Sequence, residues 1–162
     1  MAIIRSNNAI FKDHPGFLSF VAMEISKGIH IYNGDNNSSK KASKEYRKYN
    51  STARNLLRMM WLLTFIRVTF TEIQDPSVSM PEILCKAYDA AFGEKHSWII
   101  RKSAKLAIKA SGNRRELIDV VMGKQCDEEE FQKMNKVFLE RLVPVHEALW
   151  GYYKERDLTN LE

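Results

Sequence analysis

A long apolar segment that begins with two arginines constrains the fold more than any other feature of the sequence. It reads STARNLLRMMWLLTFIRVTF from Ser51 to Phe70, and eleven of the fifteen residues from Leu56 onward are Leu, Met, Trp, Phe, Ile or Val. Such a segment predicts a helix that is buried on most sides, capped by Ser51 or Thr52 and ending near Ile73.

The rest of the chain also shows helical rather than strand periodicity. A helix is predicted over 16–32 by apolar residues at helical spacing, which are Phe17, Phe20, Val21, Ile25 and Ile29. Three more helices are predicted from Pro81 to Phe92, from His96 to Ala110, and over 114–122 before Gly123. The last helix follows Asp127 and has one apolar face, formed by Phe131, Met134, Phe138, Leu142, Val145 and Leu149. No segment alternates with period two over a convincing length. The predicted class is therefore all-α, with the helices packed in two layers.

Length and charge indicate one basic domain. The 162 residues suit a single domain over 1–162, with a poorly defined N-terminus over 1–15 and a polar, Lys-rich loop over 33–50. The net charge is +5, and residues 1–60 hold ten Lys or Arg against four Asp or Glu. This excess favours an anionic partner such as a membrane surface, a phosphate or a nucleic acid, although a solvated basic face is the plainer interpretation.

No signal peptide, transmembrane segment or disulfide framework is apparent in the sequence. Cys85 and Cys126 stand alone, and no run of 18 apolar residues occurs. We therefore expect a cytoplasmic protein in a reducing compartment.

The two arginines at the start of the apolar helix are candidates for anion binding. Arg54 and Arg58 are one turn apart and share a face with Trp61 and Phe65, so both guanidinium groups point the same way. Two such groups can bind one phosphate bidentately. The alternative is that they pair with a carboxylate such as Glu24.

His96 is the second candidate for a functional side chain. If the helix begins at His96, then Ile100, Ala104 and Ile108 continue its row at i, i+4 spacing, which places a polar group above an apolar strip. A satisfied structural histidine is the plainer interpretation. No ligand spacing indicates a metal site, no motif indicates a cofactor, and no GxSxG or Gly-rich phosphate loop supports an enzyme. The basic run KKASKEYRKY is short for a nucleic-acid interface.

Three segments together resemble the glycolipid transfer protein superfamily, and in particular its ceramide-1-phosphate transfer branch. They are RNLLR, AYDAAFGEKHSWIIRKSAKLAIKA and LWGYYKERDLTNLE, and the resemblance extends from about Phe17 to Leu161. It implies an all-helical two-layer sandwich that encloses a sphingolipid pocket. It also implies that Trp98 belongs to the lipid site. The apolar rows through Phe17, Phe20, Ile100, Ala104 and Ile108 are candidates for the pocket lining, with core packing as the plainer interpretation of each.

The resemblance also implies a role for each polar residue. Arg54 and Arg58 would bind the lipid phosphate, Glu24 would accept a hydrogen bond from the sphingoid amide, and His96 would donate to the amide carbonyl. Phosphate-binding members usually carry a Lys where this chain has Gly28, and Lys27 is the nearest base. The chain also lacks most of the family's first helix, and the link between Ile31 and Ser51 is too short for the usual third helix.

The expected function is non-enzymatic binding and intermembrane transfer of a phosphorylated sphingolipid, foremost ceramide 1-phosphate. We expect a monomer without a cofactor that touches anionic membranes transiently and peripherally. The alternatives are a glycolipid carrier, a sphingolipid sensor or scaffold and, more remotely, a basic helical nucleic-acid-binding protein.

Overall fold

The structure is a computed structural model, and it describes residues 16–31 and 49–161. Within these ranges the chain forms six α-helices and no β-strand, which confirms the all-α prediction. The helices are α1 (Phe17–Ser26), α2 (Thr52–Glu72), α3 (Met80–Phe92), α4 (Trp98–Lys109), α5 (Arg114–Met122) and α6 (Glu128–Glu155). The predicted N-terminus over 1–15 and nearly all of the predicted loop over 33–50 lie outside the described residues.

The described residues fall into two compact units. The first unit extends to Met59 and includes Tyr153–Glu162, and the second is Met60–Tyr152. A small apolar core in the first unit consists of Phe20, Met23, Ile29 and Tyr49. The larger core of the second unit consists of Ile73, Met80, Ile83, Ile118, Cys126 and Phe131.

Helix α1 ends earlier than its apolar spacing predicts, because Gly28 reverses the backbone. Gly28 has φ +66°, its N–H donates to the Ile25 carbonyl at 3.0 Å, and the Ile29 N–H donates to the Glu24 carbonyl at 3.0 Å. These two bonds are those of a Schellman motif, in which a glycine adopts the left-handed conformation just after the helix. Ile29 therefore packs in the core from outside the helix.

Helix α2 begins where its capping residue predicts. The Ser51 hydroxyl accepts a hydrogen bond from the Arg54 N–H at 3.2 Å, and the helix ends at Glu72, one residue before the predicted end. Neither α2 nor any other helix among the described residues has both the length and the apolar character needed to cross a membrane.

Helix α5 has its predicted bounds, and α3 begins one residue before the predicted start at Pro81 and ends at Phe92 as predicted. Pro81 lies in the first turn of α3, and the Glu82 carboxylate accepts hydrogen bonds from the Ser79 hydroxyl at 2.6 Å and the Ser79 N–H at 3.1 Å. These two bonds lower the pKa of Glu82. Helix α5 begins after Asn113, whose side chain caps the Glu116 N–H, and ends before Gly123 at φ +92°.

The apolar row predicted for α6 is only partly buried. Phe131 is buried, but Met134 and Val145 are about half exposed. Two polar residues, Asn135 and His146, are buried instead. The Asn135 amide donates to the Phe70 carbonyl at 2.8 Å, so part of the contact that α6 makes within the second unit is polar.

Candidate functional site

Glu24 is the only buried carboxylate in the described part of the chain, with 0% of the residue exposed. Its Oε1 accepts hydrogen bonds from the Tyr49 hydroxyl at 2.6 Å and from the Thr52 N–H at 2.6 Å. Its Oε2 accepts from the Ser51 hydroxyl at 2.8 Å and from the Ala53 N–H at 2.9 Å. Four donors from the protein therefore surround one carboxylate.

This arrangement fixes the start of α2 against α1. The first backbone N–H groups of a helix have no partner within it, and the positive end of its dipole favours an anion. Glu24 supplies that anion from α1. These four donors are a phenol, a hydroxyl and two backbone N–H groups. None of them is a guanidinium group, although the sequence left open that Arg54 and Arg58 pair with Glu24.

The two arginines of α2 differ in their surroundings. Arg54 is only 8% exposed, and its Nη1 donates to the Ile31 carbonyl at 3.1 Å. Arg58, one turn later, is exposed, and the described residues offer it no hydrogen-bond or ion-pair partner. The first unit therefore presents a fixed guanidinium and an accessible one on the same side of α2.

Lys27 lies at the end of α1 and is exposed. A Cβ built at the neighbouring Gly28 would meet no atom within 4 Å. Space for a side chain therefore exists at Gly28, and its positive φ is what disfavours one. Of the two predicted pocket residues on α1, Phe17 is about half exposed and Phe20 packs in the core of the first unit.

His96 lies in the second unit and precedes α4, so the predicted helix start at His96 is wrong. Ser97 is the N-cap, and the predicted row begins only at Ile100. The Tyr88 hydroxyl contacts His96 Nδ1 at 2.7 Å, and the Phe92 ring stacks on the imidazole at 5.4 Å. When Tyr88 donates this bond, the neutral ring carries its proton on Nε2, which is the donor that the resemblance requires of His96.

The predicted pocket residues on α4 lie on a helix in which no residue is buried. Trp98 is 61% exposed, Ile100 is exposed, and Ala104 and Ile108 are partly exposed. The Lys102 ammonium lies 4.4 Å from the centre of the Trp98 ring. A shallow cleft of about 640 Å³ runs beside Trp98 and Leu106 and is bordered by the cations Arg101, Lys102, Lys105 and Lys109.

A separate apolar groove of about 330 Å³ occurs in the second unit. Its apolar lining comes from Phe65, Ile66, Phe70, Met80, Leu84, Leu117 and Val120. Phe65 and Phe70 belong to the apolar run that the sequence singled out, but none of the six predicted pocket residues lines the groove. The sequence did not predict this groove, because its lining residues come from different helices and helical spacing relates only residues on the same helix.

A buried polar cluster in the second unit was not foreseen from the sequence. His146 is 4% exposed, and its Nε2 lies 2.9 Å from Trp150 Nε1 and 2.8 Å from Thr64 Oγ1. An indole N–H only donates, so Nε2 must accept and the ring is neutral. Burial, together with the nearby Arg67, lowers the pKa of His146, while Glu147 opposes the shift.

The predicted site residues are divided between the two units. Glu24, Lys27, Arg54 and Arg58 belong to the first unit with Phe17 and Phe20, whereas His96, Trp98, Ile100, Ala104 and Ile108 belong to the second. The assignments to lipid binding stay predictions. Among the described residues no group of His, Cys, Asp and Glu side chains has the arrangement of a metal site.

Comparisons with known proteins agree with this architecture. Residues 18–123 match the family model described as glycolipid transfer protein (GLTP). No curated protein matches the sequence.

Solved structures of two transfer proteins share the fold. The mouse ceramide-1-phosphate transfer protein in its apo form is 21% identical with a TM-score of 0.69, and the match covers 90% of this chain and 64% of that one. The human ceramide-1-phosphate transfer protein in complex with 12:0 ceramide 1-phosphate is 16% identical with a TM-score of 0.69, covering 89% and 64%. The chain therefore spans 64% of the length of these proteins.

Proposed function

Because the chain belongs to the glycolipid transfer protein family, we propose that it binds a phosphorylated sphingolipid, foremost ceramide 1-phosphate, and moves it between membranes without chemical conversion. The observation that carries this proposal is the pair of guanidinium groups at the start of α2, of which Arg58 is exposed and without a partner among the described residues. The human relative was solved with ceramide 1-phosphate bound, which supports the choice of lipid.

The charge of the headgroup suits this pair. A phosphomonoester carries about −1.5 to −2 charges at neutral pH, and Arg54 and Arg58 supply two positive charges. Charge-assisted hydrogen bonds contribute about 1.5 to 3 kcal/mol each. Since the Ile31 carbonyl already orients Arg54, less side-chain entropy is lost when that guanidinium binds phosphate.

The hydrocarbon chains require an apolar surface of their own. Exposing one methylene to water costs about 0.8 kcal/mol, so a chain of about 15 methylenes costs about 12 kcal/mol. The groove lined by Phe65, Phe70 and Leu117 offers apolar contact of this kind. We assign it, rather than the exposed row on α4, to the hydrocarbon.

We assign α4 to transient contact with anionic membranes. Trp98 and the 71% exposed Leu106 stand among Arg101, Lys102 and Lys109, which combines apolar groups with positive charge on a helix without buried residues. Each base near an anionic surface contributes about 1 kcal/mol. A peripheral, cytoplasmic location fits this chemistry.

A glycolipid carrier is the second candidate, because the family model bears the name of glycolipid transfer. A sugar headgroup is neutral, so it would leave the charge of Arg58 uncompensated. Competition between ceramide 1-phosphate and galactosylceramide separates the two candidates.

The test measures movement of fluorescent ceramide 1-phosphate between vesicles. We expect wild-type protein to exceed the protein-free rate and Arg58→Ala to lose about tenfold or more, since one charge-assisted hydrogen bond is removed. Arg141→Ala, at an exposed position on α6, is the matched control and should keep the wild-type rate. A wild-type rate equal to the protein-free rate would refute transfer, and an unchanged rate in Arg58→Ala would refute the site.

A further inference from the structure

The carboxylate of Glu24 has no acceptor position left for a ligand. An ionised carboxylate offers about four lone-pair directions. Two are taken at Oε1 by Tyr49 and Thr52, and two at Oε2 by Ser51 and Ala53, all between 2.6 and 2.9 Å. A lipid amide N–H that approached Glu24 would have to displace one of these donors.

Displacement is unfavourable for each of the four donors. The Thr52 and Ala53 N–H groups belong to the first turn of α2 and have no partner within the helix. The Ser51 hydroxyl also accepts the Arg54 N–H, so its movement would disturb the residue that carries the first guanidinium. Tyr49 packs in the small core of the first unit with Phe20 and Ile29.

The exposed charged side chains within residues 16–31 and 49–59 are therefore cationic donors. Arg58 and Lys27 are exposed, and Glu24 is the only buried carboxylate among the described residues. These two cations recognise the charge and the oxygens of a phosphate, whereas Glu24, the only carboxylate within residues 16–31 and 49–59, has no acceptor position left for an amide N–H.

Resting on the proposed function, the geometry points to a wider substrate class than phosphorylated sphingolipids. We infer that this protein binds lipid phosphomonoesters by their phosphate, whether the backbone carries a sphingoid amide or a glycerol ester. Glu24 acts as a positioning residue that holds the first turn of α2, and it does not contact the lipid amide.

The experiment compares three lipids with matched chains in equilibrium binding to wild-type protein. They are ceramide 1-phosphate, its ester analogue, in which an oxygen replaces the amide N–H, and phosphatidic acid. We expect the three affinities to agree within about threefold. A hydrogen bond to a carboxylate would make the loss of the amide N–H cost about tenfold or more, so a tenfold preference for ceramide 1-phosphate overturns the inference.

Unphosphorylated ceramide and diacylglycerol separate this inference from the proposed function. If none of the three phosphorylated lipids binds better than these two, phosphate recognition fails and the inference fails with it. If only ceramide 1-phosphate binds well, phosphate recognition stands and the wider substrate class fails.

Glu24→Gln supplies a second readout. The glutamine NH₂ group faces donors where Glu24 has an acceptor, so the start of α2 is disturbed and all three affinities should fall by the same factor. A fall confined to ceramide 1-phosphate would show that Glu24 contacts the amide and would overturn the assignment.

Discussion

The Tyr153 hydroxyl donates a 2.8 Å hydrogen bond to the carbonyl of Ala53, one hundred residues earlier in the chain. Tyr153 is fully buried near the end of α6, and Ala53 lies in the first turn of α2, directly before Arg54. The first turn of α2 is thus held from two sides, by Glu24 at its N–H groups and by Tyr153 at a carbonyl.

Tyr153→Phe should destabilise the protein by about 0.5 to 1.5 kcal/mol, because the change removes a buried hydrogen bond while the Ala53 carbonyl keeps its bond within the helix. Thermal denaturation measures the effect, and about 2 to 4 °C of melting temperature is expected per kcal/mol. An unchanged melting temperature would mean that water replaces the phenol at Ala53.

Gly28→Lys should strengthen phosphate binding while it weakens the fold. The side chain enters open space, but a non-glycine residue at positive φ costs about 1 to 2 kcal/mol. Gly28→Asn is the matched control, because asparagine tolerates this conformation without adding charge. Higher affinity for ceramide 1-phosphate in the Lys variant alone is the expected result, and equal affinities would remove this position from the headgroup site.

Stability should fall as the pH drops below about 6.5, because protonated His146 is disfavoured in the folded state. The folded-state pKa of His146 is lowered, so the unfolded chain binds a proton first. The stability from neutral His146 is complete above the unfolded pKa and is lost as the pH falls through the folded pKa.

Melting temperatures of wild type and His146→Gln between pH 7.5 and 5.5 measure this effect. The variant should lose part of the slope over this interval. The carboxylates with lowered pKa, such as Glu82 and Glu128, titrate below this pH interval and should not contribute to the slope of melting temperature against pH. Equal slopes in both proteins would exclude His146 as the source.

Trp98→Ala should weaken binding to anionic vesicles by about tenfold or more, since burying a large apolar side chain contributes about 1.5 to 3 kcal/mol. Val145→Ala, at an exposed apolar position on α6, is the control and should bind as wild type does. Vesicle sedimentation at low and high salt separates the apolar contribution of Trp98 from the electrostatic contribution of Lys102 and Lys109, because salt screens only the electrostatic one. Undiminished binding of Trp98→Ala would assign membrane contact elsewhere.

Local signals in the sequence predicted the helices well. Ser51, Pro81 and Gly123 mark helix ends through chemistry that acts within a few residues, and the structure places helix ends at each of them. One exception was the late start of α4 at Trp98. The other was the early end of α1, because apolar spacing continues to Ile29 although the backbone turns at Gly28. A glycine at the end of an apolar row predicts such a stop and could have been used.

The candidate site was less accessible to sequence reasoning, because its contacts join distant residues. Arg54 and Arg58 follow from spacing on one helix, whereas the bond from Tyr49 to Glu24 and the contact of Tyr88 with His96 require coordinates. The exposure of α4 was missed for a related reason. An apolar row on a helix normally predicts a buried face, and only the coordinates show that no residue of α4 is buried.

The hydrogen bonds of Glu24 also close a loop in the chain, since the carboxylate and the Ser51 hydroxyl are 27 positions apart. The entropy of closing a loop changes slowly with its length, by about 0.6 kcal/mol for each doubling. Insertions or deletions between Ile31 and Tyr49, which spare the contacts of these two residues with Arg54 and Glu24, should therefore alter stability little and leave the orientation of Arg54 unchanged. The short link that the sequence predicts between Ile31 and Ser51 would, on these terms, be compatible with the proposed headgroup site.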